Sequence, residues 1–239
     1  MYKILFFGAS GRLGENWVKD LIIDKKLFVN IFKNKIFIIN KNFFYKKFDF
    51  ENIKDLITFC KKKKISHVIN CIGFTNVEYC EIDKKKANYL NYLIPKKLTY
   101  VSKFLNVPII HISTDMLFNG KKKTKYLETD KPSPVNYYSK SKLLGEKEVK
   151  KYKKSLIIRT NFYGSKNRDN MTFSDKIYFS KNKISLWNNI YFTPVNIKIL
   201  IKIINFLINK KIYGVYNVSS NKKISKFKLG KKIAQILNK

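Results

Sequence analysis

The sequence predicts an α/β fold in which helices cover both faces of a doubly wound parallel sheet. Short apolar runs rich in Ile and Val alternate with longer stretches of helical periodicity over the first two thirds of the 239 residues. Continuous apolar strands are typical of parallel sheets, because both of their faces are buried. A glycine-rich turn after the first apolar run supports the same fold, and the alternation is lost after Thr160.

The predicted elements follow one another as strand and helix. The predicted strands are Tyr2–Phe7, Leu27–Phe32, Phe43–Phe48, His67–Ile72, Val107–Ser113 and Ser155–Arg159. The predicted helices are Glu15–Ile23, Asn52–Lys63, Lys84–Leu105 with a break near Pro95, and Asn136–Lys153. A later helix at Ile197–Ile208 and a short strand at Val215–Val218 predict a smaller, interleaved C-terminal lobe. We therefore divide the chain into residues 1–160 and 161–239.

The large positive charge of the chain is weak evidence for a nucleic-acid partner. Lys and Arg total 50 against 16 Asp and Glu, which gives a formal net charge of +34. Only Arg12, Arg159 and Arg168 are arginines, whereas proteins that read nucleic acids favour arginine for bidentate contacts. Lys, Asn, Ile, Phe and Tyr make up more than half of the chain and share AT-rich codons. We attribute the charge to codon bias and expect no nucleic-acid partner.

The cysteines and the apolar segments exclude other classes of protein. Three cysteines without a Cys-x-x-Cys pair, beside two histidines, argue against a disulfide framework or a zinc site and fit a reducing cytoplasm. The start MYKILFFGASG is interpreted as a buried strand and not as a signal peptide. Lys198, Lys202 and Asn205 interrupt the apolar segment Ile190–Ile208, which therefore predicts an amphipathic helix. We expect a cytoplasmic protein with no membrane partner.

A glycine motif follows the first predicted strand and opens the first helix. Gly8, Gly11 and Gly14 are spaced G-x-x-G-x-x-G in the segment GASGRLG. The first glycine permits a tight turn, the second lets backbone N–H groups approach a pyrophosphate, and the third lets helix and strand pack closely. The helix N-terminus faces the anion. The motif therefore predicts a Rossmann-like fold that binds a dinucleotide.

Charged residues near this motif bear on the choice of nicotinamide cofactor. An acidic residue after the second strand would hydrogen-bond the ribose 2′-OH of NAD, but this chain has Lys33, Asn34 and Lys35 there. Together with Arg12 in the turn, these lysines favour NADPH, and NADH stays the alternative because lysine is abundant everywhere. Asp49 is interpreted either as an acceptor for the adenine amino group or as a cap of the following helix.

Three side chains form the candidate catalytic set. Tyr138 and Lys142 are spaced Y-x-x-x-K at the start of a predicted helix, so both lie on one helix face. Tyrosine, with a usual pKa of about 10, donates a proton poorly at neutral pH, and we expect the nearby ammonium to lower that pKa. Thr114 ends a strand, where open α/β sheets bind ligands, and adds a hydroxyl toward the same carbonyl oxygen. Tyr137 is interpreted as a packing residue.

In this order along the chain, the motifs resemble those of the dTDP-4-dehydrorhamnose reductase family, within the extended short-chain dehydrogenase/reductases. The resemblance runs from Tyr2 to about Ile236. The matching segments are GASGRLG (8–14), VINCIGFTNVEYCE (68–81), ISTDMLFNG (112–120), YLETDKPSPVNYYSKSKLLGE (126–146), LIIRTNFYG (156–164), YFTPV (191–195) and IYGVYNVSSNKKISKF (212–227).

The resemblance implies roles for individual residues. Tyr138 would be the general acid toward the C4 carbonyl of a sugar, with Lys142 as its partner and Thr114 orienting the carbonyl. The implied cofactor contacts are Gly8, Ser10, Gly11, Arg12, Leu13 and Gly14 at the pyrophosphate, Asp49 and Phe50 at the adenine, Cys71, Ile72 and Gly73 at a strand end, and Asn91, Tyr138 and Lys142. Asp115, Arg159 and Asn161 would border the substrate. For Arg159 the alternative is a structural tie between lobes, and for Asp115 the alternatives are a structural role or the orientation of Thr114.

Two departures from the pattern qualify this assignment. Met116 follows Asp115, so the chain lacks the second carboxylate with which related dehydratases eliminate water, and we expect simple carbonyl reduction. Members of the family usually continue for several tens of residues past the position of Lys239, so we expect a shortened substrate lobe.

The resulting prediction is an NADPH-dependent reductase of a nucleotide-linked 4-dehydro-6-deoxy sugar. The favoured reaction converts dTDP-4-dehydrorhamnose to dTDP-L-rhamnose for surface polysaccharide synthesis. The alternatives are a non-catalytic nucleotide-binding regulatory subunit of the same fold, and a reductase or epimerase of another nucleotide sugar. The resemblance leaves Mg²⁺ and a homodimer open, although no cluster of metal ligands stands out in the sequence.

Overall fold

Seven parallel strands form the central sheet of the computed structural model, which describes residues 2–30, 40–164 and 173–238. The strands within these ranges are β1 Lys3–Phe7, β2 Lys26–Asn30, β3 Phe43–Lys46, β4 His67–Asn70, β5 Ile109–Thr114, β6 Ser155–Thr160, β7 Phe162–Tyr163, β8 Tyr191–Phe192, β9 Val195–Asn196, β10 Gly214–Val218 and β11 Ile224–Ser225. The sheet has the order β3-β2-β1-β4-β5-β6-β10. The order reverses between β1 and β4, where such folds open a ligand crevice.

Helices cover both faces of this sheet. They are α1 Arg12–Leu21, α2 Ile53–Lys63, α3 Val77–Ile82, α4 Lys84–Asn88, α5 Ile94–Leu105, α6 Tyr137–Lys150, α7 Phe173–Phe179, α8 Ile197–Asn209 and α9 Lys226–Ile236. Alternate residues of β1 enter two separate cores. Phe6 packs in one core with Trp17 of α1, and Phe7 packs in the other with Leu56 of α2. Burial on both faces explains why the strands are apolar throughout, and the predicted fold class is confirmed.

Some boundaries differ from the prediction. Helix α1 begins at Arg12 and not at Glu15, because the glycine turn ends at Gly11, which caps the helix. The helical path predicted for residues 84–105 is not interrupted at Pro95 itself. Instead, a π-helical stretch at Tyr89–Leu93 joins α4 to α5, and Pro95 lies in the first turn of α5, where its missing N–H costs little. Helices α3, α7 and α9 were not predicted from the sequence.

Two elements of the C-terminal part of the chain belong to the main sheet and its covering layer. Strand β10 pairs with β6, and α8 packs in the same core as α1. Two small sheets, β11 with β8 and β7 with β9, join the remaining segments. The division of the chain at residue 160 stays a prediction. No helix in the described ranges combines the length and the apolar character needed to cross a membrane.

Helix α6 packs closely against the π-helical stretch Tyr89–Leu93. Gly145 of α6 faces the carbonyl oxygen of Asn91, which is the acceptor that an N–H at Pro95 would have used in a regular helix. A Cβ at position 145 would collide with this oxygen and lie 3.3 Å from Cγ of Pro95. The glycine therefore sets how closely α6 approaches the π-helical stretch.

We expect Gly145→Ala to lower the free energy of unfolding by about 1–2 kcal/mol, because overpacking outweighs the helix propensity that alanine gains. Chemical denaturation measures this change. Lys147→Ala, at an exposed position of the same helix, is the control and should stay within about 0.5 kcal/mol of the parent protein. A Gly145→Ala variant more stable than the parent would contradict the close packing.

Candidate active site

The glycine turn brings backbone atoms close together. Gly8 has a φ of +82°, and a Cβ there would lie 2.5 Å from the carbonyl carbon of Cys71. The N–H of Gly11 donates to the carbonyl oxygen of Gly8 at 3.1 Å. A Cβ at Gly14 would collide with that same oxygen. The turn therefore requires glycine at its first and last positions, and it leaves the N-terminus of α1 open to an anion.

A cavity of about 800 Å³ lies over this turn at the carboxyl end of the sheet. The predicted site residues in its wall are Gly8, Ser10, Gly11, Arg12, Leu13, Gly14, Cys71, Ile72, Gly73, Tyr138 and Lys142. The predicted site residues that its wall, within the described ranges, does not include are Asp49, Phe50, Asn91, Thr114, Asp115, Arg159 and Asn161. Other wall residues, among them Lys86, Thr160 and Phe162, were not predicted from the sequence.

Tyr138 interacts with Thr114 at the end of β5. Thr114 Oγ1 also accepts from the N–H of Met116 at 3.2 Å, which fixes the threonine side chain. Burial raises the pKa of Tyr138 to about 12, the negative charge of Asp115 adds to this, and the interaction with Thr114 opposes it. The expected lowering of this pKa is therefore wrong for the protein alone, because desolvation of the phenolate dominates.

Lys142 is buried one helical turn after Tyr138. Its Nζ donates to the carbonyl oxygen of Ile112 at 2.6 Å. Burial lowers the pKa of Lys142 to about 8, while Glu146 and Cys71 act in the opposite direction. At neutral pH, Tyr138 is thus a protonated donor, and Lys142 is mostly charged but close to its titration point.

Asn91 lies fully buried and holds the chain after β4. Its Oδ1 accepts from the N–H of Phe74 at 2.8 Å, and its Nδ2 donates to the carbonyl oxygen of Phe74 and to Ser141 Oγ. Ser141 Oγ donates in turn to the carbonyl oxygen of Tyr138. Asn91 therefore connects the Gly73–Phe74 wall of the cavity to α6, and its polar atoms are already engaged.

Arg159 and Glu146 form a buried ion pair beside the site. The closest atoms, Nη2 of Arg159 and Oε1 of Glu146, are 2.6 Å apart, and both side chains are less than 5% exposed. Ser113 Oγ donates to Glu146 Oε2 at 2.6 Å, and Arg159 Nη1 donates to the carbonyl oxygen of Glu128 at 3.4 Å. These side-chain partners of Arg159 lie within residues 1–160, so the contacts hold α6 to the sheet and do not tie the two predicted lobes together. A role of Arg159 at the substrate stays a prediction.

Asp115 interacts with Asn161, and its Oδ1 accepts from Thr114 Oγ1 at 3.4 Å. Burial raises the pKa of Asp115, and its interactions with Asn161 and Thr114 partly offset that rise. Asp115 thus joins the loop after β6 to the threonine that contacts Tyr138.

The residues expected at the adenine have structural partners of their own. Asp49 Oδ1 accepts from the N–H of Glu51 at 2.9 Å, whereas Asn52 caps α2. Phe50 is buried against Phe7, with ring centroids 5.5 Å apart. Lys33, Asn34 and Lys35 lie outside the described residues.

Arg12 reaches from the glycine turn to α7. Its Nη2 lies 3.2 Å from Oδ2 of Asp175, whose side chain is 2% exposed. The carboxylate of Asp175 offsets part of the positive charge that Arg12 would offer to a phosphate. Among the described residues, no group of three His, Cys, Asp or Glu side chains is placed to hold a metal ion.

Comparisons with known proteins agree with the geometry. A family model described as the RmlD substrate binding domain matches residues 2–239. A crystal structure of a hypothetical dTDP-4-dehydrorhamnose reductase from Sulfolobus tokodaii superposes with a TM-score of 0.85 at 30% identity, covering 100% of this chain and 83% of that one. The dTDP-4-dehydrorhamnose reductase from Bacillus anthracis in complex with NADP gives 0.82 at 25% identity, covering 100% and 82%.

One relative by sequence is the probable low-salt glycan biosynthesis reductase Agl14 from Haloferax volcanii. It is 26% identical over 200 residues, which cover 79% of this chain and 65% of that protein. The match therefore spans slightly less than two thirds of the relative's length.

The buried ion pair yields a stability prediction. Glu146→Gln leaves the Arg159 guanidinium buried without a countercharge, so we expect it to lower the free energy of unfolding by about 3–5 kcal/mol. The control is Glu148→Gln on the same helix, whose carboxylate pairs with Lys151 at the surface and should contribute less than about 1 kcal/mol. Urea denaturation of both variants measures the difference, and equal losses would contradict the role of Glu146.

Proposed function

The chain belongs to the family of the RmlD substrate binding domain, and on that premise we propose that it reduces the C4 carbonyl of a nucleotide-linked 4-dehydro-6-deoxy sugar with NADPH. The family membership confirms the resemblance drawn from the motifs. Within the proposal, dTDP-4-dehydrorhamnose is the favoured substrate and dTDP-L-rhamnose the product, for surface polysaccharide synthesis. The names of the Sulfolobus tokodaii and Bacillus anthracis proteins support this substrate.

The observation that carries the proposal is the shared cavity. Tyr138 and Lys142 line the same cavity as the glycine turn, and Thr114 interacts with Tyr138 at the end of β5. A dinucleotide fits the turn, since Gly8 and Gly14 keep its backbone free of side chains and the α1 N-terminus can accept a pyrophosphate. A proton donor at one end of such a cavity and an anion site at the other suit the reduction of a carbonyl group.

The side chains supply the proton and the orientation. A reduced nicotinamide supplies a hydride when bound. The Thr114 and Tyr138 hydroxyls bind the carbonyl oxygen of the sugar, and the Tyr138 O–H gives its proton to that oxygen as negative charge develops on it. The raised pKa of Tyr138, about 12, keeps this proton in place until then. The Lys142 ammonium stabilises the phenolate that remains.

The choice of NADPH over NADH rests on positive charge near the glycine turn. Arg12 lines the cavity, and the Bacillus anthracis relative was solved with NADP. Asp175 opposes part of the Arg12 charge, so the proposal expects a preference for NADPH and not an absolute selectivity.

The test is an NADPH oxidation assay with dTDP-4-dehydrorhamnose, beside other 4-dehydro nucleotide sugars and NADH. Tyr138→Phe should lower kcat by about 10²- to 10⁴-fold, because the general acid is lost, while NADPH binding persists. Tyr137→Phe, which keeps the ring that Lys84 contacts, is the matched control and should keep full activity. NADPH binding without turnover of any sugar nucleotide would instead support the non-catalytic subunit.

A further inference from the structure

Thr160 is a buried polar residue in the cavity wall. The proposed reaction gives it no role. It is the last residue of β6, it is 5% exposed, and it lines the cavity beside the glycine turn. Within the described part of the chain, its hydroxyl has no hydrogen-bond partner. An unpaired buried hydroxyl costs stability, so a partner supplied by a ligand would recover that cost.

The sheet register relates Thr160 to the proposed proton donor. Thr160 and Thr114 are directly paired residues of β6 and β5, and neighbouring strands lie about 4.8 Å apart. Ile158 packs in the core of α1, and Thr160, two residues further along the strand, faces the same side. The side chain is therefore next to the carbonyl-binding hydroxyls and on the face covered by the helix that the glycine turn opens.

We propose that the Thr160 hydroxyl binds the carboxamide of the nicotinamide, an inference that rests on the proposed function. A hydride donor must lie against the carbon of the carbonyl that Thr114 and Tyr138 bind, and it must be connected to a pyrophosphate at the glycine turn. Thr160 lines the cavity between the carbonyl-binding hydroxyls and the glycine turn, where such a hydride donor would have to lie. The carboxamide is the polar group of that ring, and a hydroxyl can donate to its oxygen or accept from its nitrogen. The contact fixes which face of the ring meets the sugar.

The experiment compares two ligands that differ in the nicotinamide. NADPH and 2′,5′-ADP share the phosphorylated adenosine, and only NADPH carries the carboxamide. Thr160→Val keeps the shape of the side chain and removes the hydroxyl, so we expect the Kd for NADPH to rise about three- to tenfold, the loss of one neutral hydrogen bond. The Kd for 2′,5′-ADP should not change, and Thr160→Ser should bind NADPH like the parent protein.

Other results would overturn the inference. An equal loss for both ligands would indicate a merely structural role, and an unchanged Kd for NADPH with a higher KM for the sugar nucleotide would move the hydroxyl to the substrate. Thr160→Ala, which also lacks the hydroxyl, replaces the valine variant if that variant does not fold. A parent protein that binds neither NADPH nor NADH would overturn the proposed function itself, and this result is distinct from the first two.

Discussion

The buried contact between Glu146 and Arg159 is the constraint on which the geometry of the site depends. Tyr138, Lys142 and Glu146 follow one another at intervals of four residues along α6, so they share one helix face. Ser113 and Arg159 bind Glu146 from β5 and β6. This contact fixes the rotation and height of α6 over the sheet. Its value lies in position more than in stability, because burying an ion pair costs nearly what the pair returns.

Burial determines the protonation states of Tyr138 and Lys142, which lie on the same face of α6 as Glu146. Desolvation raises the pKa of Tyr138 to about 12 and lowers that of Lys142 to about 8. The same low-polarity surroundings that make the tyrosine hold its proton also strengthen each hydrogen bond inside the cavity. Asn91 also holds α6 in place, because its side chain hydrogen-bonds both the backbone of Phe74 and Ser141 of α6. The functional groups are thus positioned by residues that have no free polar atom for a ligand.

The local features of the site could be predicted from the sequence, whereas the features that depend on burial or on strand register could not. The glycine turn is a contiguous strand–turn–helix motif, and the Tyr138–Lys142 pair follows from the helical period. The direction of the Tyr138 pKa shift depends on how deeply α6 is buried, which spacing does not reveal. Arg159 and Thr160 are neighbours in sequence, but they point to opposite faces of β6, so one meets Glu146 and the other lines the cavity. Asp49 and Asn52 show a different limit, because several residues near a helix start can cap it and the sequence does not tell which one does.

In the proposed function, one cavity joins an anion site at the glycine turn to a proton donor at Tyr138. A crystal structure of the protein with NADP⁺ tests this claim most directly. We expect the pyrophosphate to lie against the backbone N–H groups at the start of α1, and the nicotinamide to lie beside Tyr138 and Lys142. A dinucleotide bound elsewhere, or bound with its nicotinamide directed away from Tyr138, would contradict it.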